Sequence, residues 1–194
     1  YEAWRETSKE ETVKFLEEMD YGSIEKAADM ILEAQKNGNR VHVSGIGKPG
    51  HIAGYIASVM SSTGNPTYFL HGTEAVHGSC GHLVPGDVGI FISNSGQTAE
   101  MRATVTAVKN NGCKVIGVSG NPDSWLGQES DVHLFAGIEK EDAVLLETDD
   151  FANPDDAIID VEDSAEAKTA AAIDGVVNQG VNALDNAVNG GDAK

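Results

Sequence analysis

The chain contains no run of eighteen apolar residues, and its opening stretch YEAWRETSKEE is charged, so neither a membrane-spanning helix nor a secretory leader is expected and the cytoplasm is the default location. Cysteine is scarce. Cys80 and Cys113 are too few for a disulfide framework and too far apart for a local metal knuckle, so both are expected as reduced thiols. Basic residues are also few: 13 Lys and Arg stand against 31 Asp and Glu, a formal net charge of −18 that argues against the basic face a nucleic acid requires. The acid is unevenly placed, with 15 acidic against 3 basic residues in 138–194 and 16 against 10 in 1–137. The last third is therefore read separately. What the sequence does have is 40% hydrophobic residues in a length of 194, enough to close one domain around a full sheet core.

The densest local signal is Asp87 to Glu100, DVGIFISNSGQTAE. Val88 to Ile92 form an unbroken apolar run, the pattern of a strand buried on both faces of a parallel sheet. It stops at Ser93, Asn94, Ser95, Gly96, Gln97 and Thr98, and AEMRATVTAVKNNG then predicts a helix ending at Gly112. A strand that ends in hydroxyl residues and feeds a helix N-terminus offers side-chain donors, backbone N–H groups and the positive dipole end to one anion. An ordinary helix cap is the competing reading of the same residues.

Taken in order, Ser8 and Glu11 form a capping-box signature followed by Val13, Leu16 and Met19 at helical spacing. Ser23 starts a second predicted helix whose stripe is Ile24, Ala27, Ala28, Ile31 and Leu32 and whose end is marked by Asn37 and Gly38. From Arg40 the pattern becomes strand, glycine loop, helix: RVHVS, GIGKPGH, IAGYIASVMSSTG. Further short apolar runs follow as TYFL, VGIFIS, KVIGVS and VHLF, separated by helical segments or long loops. Alternation of this kind favours right-handed parallel crossovers and an open sheet with helices on both faces, whose ligands bind beyond the carboxyl ends of the strands. GIGKPGH, HGTEAVHG and SNSGQTAE all fall there.

GIGKPGH has the GxGxxG spacing but lacks the acidic ribose ligand of a dinucleotide site. Pro49 suits a first helical turn, and Lys48 supplies a cation for an anion or a developing oxyanion, with a solvated surface lysine as the alternative. HGTEAVHGSCGH gathers His71, Glu74, His77, Cys80 and His82. That density invites a zinc reading, yet no standard ligand pair is present, and acid/base chemistry suits the same residues. No metal or other cofactor is expected.

Together, GIGKPGH, HGTEAVHG, VPGDVGIFISNSGQTAE, VIGVSGNPDS and SDVHL resemble, in order and spacing, the sugar isomerase (SIS) domain family, and within it the arabinose-5-phosphate isomerases that lack CBS domains. The resemblance runs from about Val41 to Glu141. It implies an α/β fold with a flavodoxin-like, doubly wound, five-stranded parallel sheet, preceded by two N-terminal helices in 1–38. The SIS core is expected over 39–141, with an acidic C-terminal segment over 142–194 that carries a helix over 164–188. By motif, Ser93, Ser95 and Thr98 would hold a phosphate. Lys48, His77, Glu100 and Glu141 would be the catalytic polar residues, with His77 reaching into a neighbour's site. Gly47, His71, Glu74, Asn94 and Gln97 would complete the substrate contacts. The expected partners are a phosphorylated sugar and further copies of the chain, as a homodimer or homotetramer. Pro49 stands where the family commonly has serine. After Glu141 the sequence departs from the family, and no histidine follows His133 where the family carries one before Pro-Gly.

These residues suit an enzyme that interconverts a phosphorylated aldose and ketose, arabinose 5-phosphate and ribulose 5-phosphate, through an enediol. A 6-phospho-3-hexuloisomerase is the second enzyme reading. A phosphosugar-binding or regulatory module without turnover is the reading from another class, favoured by the missing late histidine.

Overall fold

A computed structural model describes residues 2–137; Glu141, the acidic segment 142–194 and the helix expected over 164–188 lie outside them. The described chain runs α1 (Glu2–Glu17), α2 (Tyr21–Lys36), β1 (Val41–Gly45), α3 (Lys48–Ser62), β2 (Thr67–His71), α4 (Gly72–Val76), a 3-10 turn (Ser79–His82), β3 (Val88–Ile92), α5 (Ala99–Asn110), β4 (Lys114–Ser119), α6 (Trp125–Glu129) and β5 (Val132–Phe135). The five strands are those expected, to within one residue at each end. All pair in parallel in the order β2-β1-β3-β4-β5, the flavodoxin-like order.

Two helix starts differ from expectation. α1 already runs through Ser8, whose carbonyl accepts from the Thr12 hydroxyl at 2.7 Å, because no glycine or proline interrupts the good helix formers before it. Its buried residue is Phe15; Val13 and Leu16, expected on the apolar stripe, are exposed. α2 is capped by Asp20 and not started by Ser23: the Asp20 carboxylate accepts from the Ser23 N–H at 3.2 Å and from the Ser23 hydroxyl at 2.6 Å. A carboxylate at the cap position satisfies an end-of-helix donor that Ser23, three residues inside, cannot reach.

Strand periodicity divides the core. Val41, Val43, Val88, Ile90, Ile92, Ile116 and Val118 point to one face, where α2 and α3 cover them with Ile24, Ala27, Ile31, Ala53, Ile56 and Met60. Phe91 and Val115 point to the other, under Met101, Val105 and Val108 of α5 and Leu126 of α6. Both thiols lie on that second face as free, buried cysteines, and burial, then the charge of Asp87, pushes the Cys113 thiol up to about 11. It is a packing residue, not a nucleophile.

At the amino ends of the strands one carboxylate ties β1 to β3. Asp87, fully buried, accepts from the backbone N–H of Arg40 (3.0 Å) and of Val84 (3.0 Å), from Asn39 Nδ2 (3.2 Å) and from His42 Nε2 (3.1 Å). Burial alone would raise its pKa, but these donors outweigh it and the carboxyl is held below its ordinary value. Burial also lowers the pKa of His42, against the opposing pull of Asp87, so the ring is neutral and donates Nε2–H. The Tyr68 ring stacks on the other side of it at 5.8 Å.

Removing the carboxylate takes the acceptor from the buried His42 ring and from three part-buried N–H donors, of which, among the described residues, only Asn39 Nδ2 keeps another bond, to the Pro85 carbonyl. Asp87→Ala is expected to cost about 3 kcal/mol in urea unfolding. Because His42 has a folded pKa below the ordinary value of about 6.5, the unfolded chain takes up that proton first, so stability falls as the pH drops below about 6.5. The lowered pKa of Asp87 adds a second loss beneath the ordinary carboxylate value, as the pH falls through its folded pKa. His42→Gln should flatten the first part of that pH profile and leave the second; an unchanged first part would assign it to the half-buried His133, whose pKa burial also lowers.

Candidate active site

The strand order reverses direction between β1 and β3, and that reversal makes the site. β1 leads through α3 to β2 on one side, whereas β3 leads through α5 to β4 on the other, and α3 and α5 cover opposite faces of the sheet. Gly45 and Ile92, the last residues of β1 and β3, are register partners. The starts of α3 and α5 therefore diverge from two adjacent strand ends and leave a crevice between them. Among the described residues no side chain caps either helix, although α2 and α6 are capped by Asp20 and Ser124. Both positive dipole ends thus face one opening.

The chain's small residues permit this geometry. Gly45 lies under the first turn of α3, where a Cβ would strike the Pro49 carbonyl, so only glycine lets the helix start so close to the strand end. Gly96 takes φ +61, and a Cβ there would run into the Ser124 hydroxyl and within 3.3 Å of Ser119 Cβ. The serine loop is braced from α6 and from the residue after β4 by two further bonds, Leu126 N–H to the Gly96 carbonyl at 3.0 Å and Gly120 N–H to the Asn94 carbonyl at 2.9 Å. Behind that brace the Ser119 hydroxyl donates to the Asn121 carbonyl at 2.9 Å and lies 2.9 Å from His133 Nε2, whose neutral ring supplies the other hydrogen.

Within the loop, Ser93 is buried and its hydroxyl meets that of Thr98 at 3.1 Å. Thr98 occupies the N-cap position of α5 but makes no cap bond, so the hydroxyl pair is turned to one another and not to the helix. Ser95 Oγ accepts the Gln97 N–H at 3.2 Å, and Asn94, Ser95 and Gln97 are exposed. Glu100 is exposed in the first turn of α5. Across the crevice, Gly47 stands at the N-cap of α3 and Lys48, half-buried, is its first residue.

The β2 loop approaches differently. His71 closes β2 with its Nδ1 2.9 Å from the Thr73 hydroxyl; Glu74 is exposed on α4, and His77, also exposed, ends that helix. α4 is pinned to α5 by the buried Thr104, whose hydroxyl donates to the Gly72 carbonyl at 2.5 Å. No hydrogen bond among the described residues joins His71, Glu74 or His77 to the serine loop. Nor do any three His, Cys, Asp or Glu side chains among the described residues gather as a metal cage. Glu141 falls outside the described residues. Arg102, which reaches back to Gln97, carries no motif of its own, and Ser124, although it ends the VIGVSGNPDS motif, was not legible as the residue that braces Gly96.

Comparison with known proteins bears on the family and the fold. The SIS domain model matches residues 35–151. The chain is 37% identical over 131 residues to the arabinose 5-phosphate isomerase KdsD of Francisella tularensis, a match covering 68% of this chain and 40% of that protein. With KdsD of Escherichia coli K12 it shares 41% over 102 residues, 53% of this chain and 31% of that one, so the chain spans well under half the length of these relatives. Among solved structures, a Bacteroides fragilis protein taken to be a phosphosugar isomerase involved in capsule formation superposes with a TM-score of 0.75 at 30% identity, over 91% of this chain and 87% of that one. An Escherichia coli CFT073 protein in complex with arabinose 5-phosphate superposes with a TM-score of 0.70 at 28% identity, covering 93% of this chain and 89% of that one.

If the serine loop holds a phosphate, Ser95→Ala removes one hydrogen bond to a charged group. Titration calorimetry with a sugar phosphate should show affinity weakened by about 1.5 kcal/mol. Unchanged affinity would take the loop out of the binding site.

Proposed function

The chain belongs to the SIS domain family, and from that premise we propose that it is a phosphosugar aldose–ketose isomerase interconverting arabinose 5-phosphate and ribulose 5-phosphate. What supports this reading is the place between the ends of β1 and β3, where α3 and α5 start without a side-chain bond from their N-cap residues, α5 behind the Ser93–Thr98 hydroxyl pair and α3 with Lys48 as its first residue. An anchored phosphate there fixes the open-chain sugar by one end. Anchoring converts the remaining chemistry into steps between positioned groups.

The reaction moves a proton from C2 of the aldose to C1. A base removes the C2 proton, the C1 carbonyl oxygen gathers the charge and is protonated, and the resulting enediol loses its O2 proton as C1 takes up the transferred one. We assign the base to Glu141 and a positioning or relay role to Glu100, which the dipole of α5 favours as an anion. Lys48 is the donor opposite the developing oxyanion, and His77 serves ring opening or proton relay. His71, Glu74, Asn94, Gln97 and Gly47 complete the contacts to the sugar. Because His77 ends a helix with no bond to the serine loop, its role is assigned to the site of a second copy, which makes the working enzyme a homodimer or homotetramer in the cytoplasm.

Deuterium incorporation at the sugar C2 in heavy water tests the assignment. Glu141→Gln should abolish exchange and keep binding, while Glu100→Gln should weaken both moderately; the reverse ranking exchanges the two roles. A second reading, a phosphosugar-binding module without turnover, is supported by the sequence DAVLLETDDFANPDD after Glu141, which departs from the family's pattern. Binding with no exchange by the unmodified protein would establish that reading. Light scattering is expected to show at least a dimer, and a monomer that turns over substrate would refute the shared site.

A further inference from the structure

Arg102 lies on the exposed side of α5, one turn beyond Thr98, and is held in place from two directions. Its guanidinium stacks over the Trp125 ring, 5.5 Å from the centroid, and its Nη2 donates to Gln97 Oε1 in the serine loop. Trp125 is the first residue of α6 and half-buried against the second core cluster, so the platform under the guanidinium is part of the fold. Arginine carries only donors, so it can meet the Gln97 carboxamide only through its oxygen. The Gln97 NH2 is thereby directed away from Arg102, and it has no partner among the described residues.

We propose that Arg102 is a specificity-determining residue of the serine-loop site. It sets a fixed positive charge beside the loop and orients Gln97 so that its amide N–H groups, not its carbonyl, are available to the ligand. The ligand class this selects is a doubly ionised phosphate monoester over singly charged or neutral sugars. The need for such a charge follows from the molecule's own field: a net charge of −18 repels anions at long range, and hydroxyls and helix N-termini act only within the first shell. A clamped guanidinium acts over a longer distance, and the stacked ring holds it at lower entropic cost than a mobile lysine would incur. The inference rests on the serine loop being the phosphate site.

The test is titration of the full chain with inorganic phosphate and with arabinose 5-phosphate at several salt concentrations, comparing Arg102→Gln, Arg102→Lys and Ser95→Ala with the unmodified protein. A unit charge at the rim of a surface site changes affinity about fivefold. Arg102→Gln is expected to weaken both ligands by about that factor at low salt and to flatten the salt dependence. Arg102→Lys, which restores the charge without the planar stack, should recover most of the loss. If Ser95→Ala weakens binding and Arg102→Gln does not, the inference is overturned and the loop remains the site. If Arg102→Lys is as weak as Arg102→Gln, or if the salt dependence is unchanged, the residue acts through packing and the charge role is overturned. If neither Ser95→Ala nor Arg102→Gln weakens binding, the loop reading and this inference fall together.

Discussion

Everything at the carboxyl end of this sheet depends on one topological constraint. Parallel strands must be joined by crossovers that keep one hand, so a chain that starts in the middle of a sheet can build outward on one side only before it returns to build on the other. Here the return falls between β1 and β3, and the crossovers on either side cover opposite faces. No side chain is needed to open the crevice. It is the space left where two helices depart in different directions from neighbouring strand ends, and the apolar core beneath it keeps those ends in register.

How much of this was legible depended on whether the signal was local. β3 stood out because a strand buried on both faces needs consecutive apolar residues, the edge strands β2 and β5 as short apolar runs even though Tyr68, Phe69 and Phe135 are exposed, and each glycine loop because it interrupts such a run. The serine loop could be placed for the same reason. Helix starts were less legible, since a capping signature at Ser8 or Ser23 competes with whatever precedes it: uninterrupted helix formers in α1 and the carboxylate of Asp20 in α2. Least legible were the contacts that give the loop its shape. Gly96 against Ser124 and Arg102 over Trp125 join the β3–α5 unit to the β4–α6 unit, and nothing in either segment announces the other.

The two ends of the sheet divide the ionic work. At the amino ends a buried carboxylate is satisfied by four donors within the fold, so its charge is turned inward. At the carboxyl ends the N-cap residues of α3 and α5 leave the first-turn donors of their helices without a side-chain bond. With a net charge of −18 the overall field is unfavourable to an anion, so preorganised dipoles and fixed cations close to it would have to outweigh that field.

The Asp87 junction also bears on how the chain reaches this state. Its bonds to Asn39, Arg40 and His42 close loops of 48, 47 and 45 residues. During synthesis β1 and α3 leave the ribosome long before β3, and β1 then has only the short edge strand β2 to pair with, its other side unfilled. The centre of the sheet can close only after residue 92 has emerged, so the nucleus is expected to be non-local and the nascent first half to carry an open apolar strand edge. The junction at Asp87 can form only once both β1 and β3 are out of the ribosome, so its formation and the covering of that exposed edge are expected to coincide.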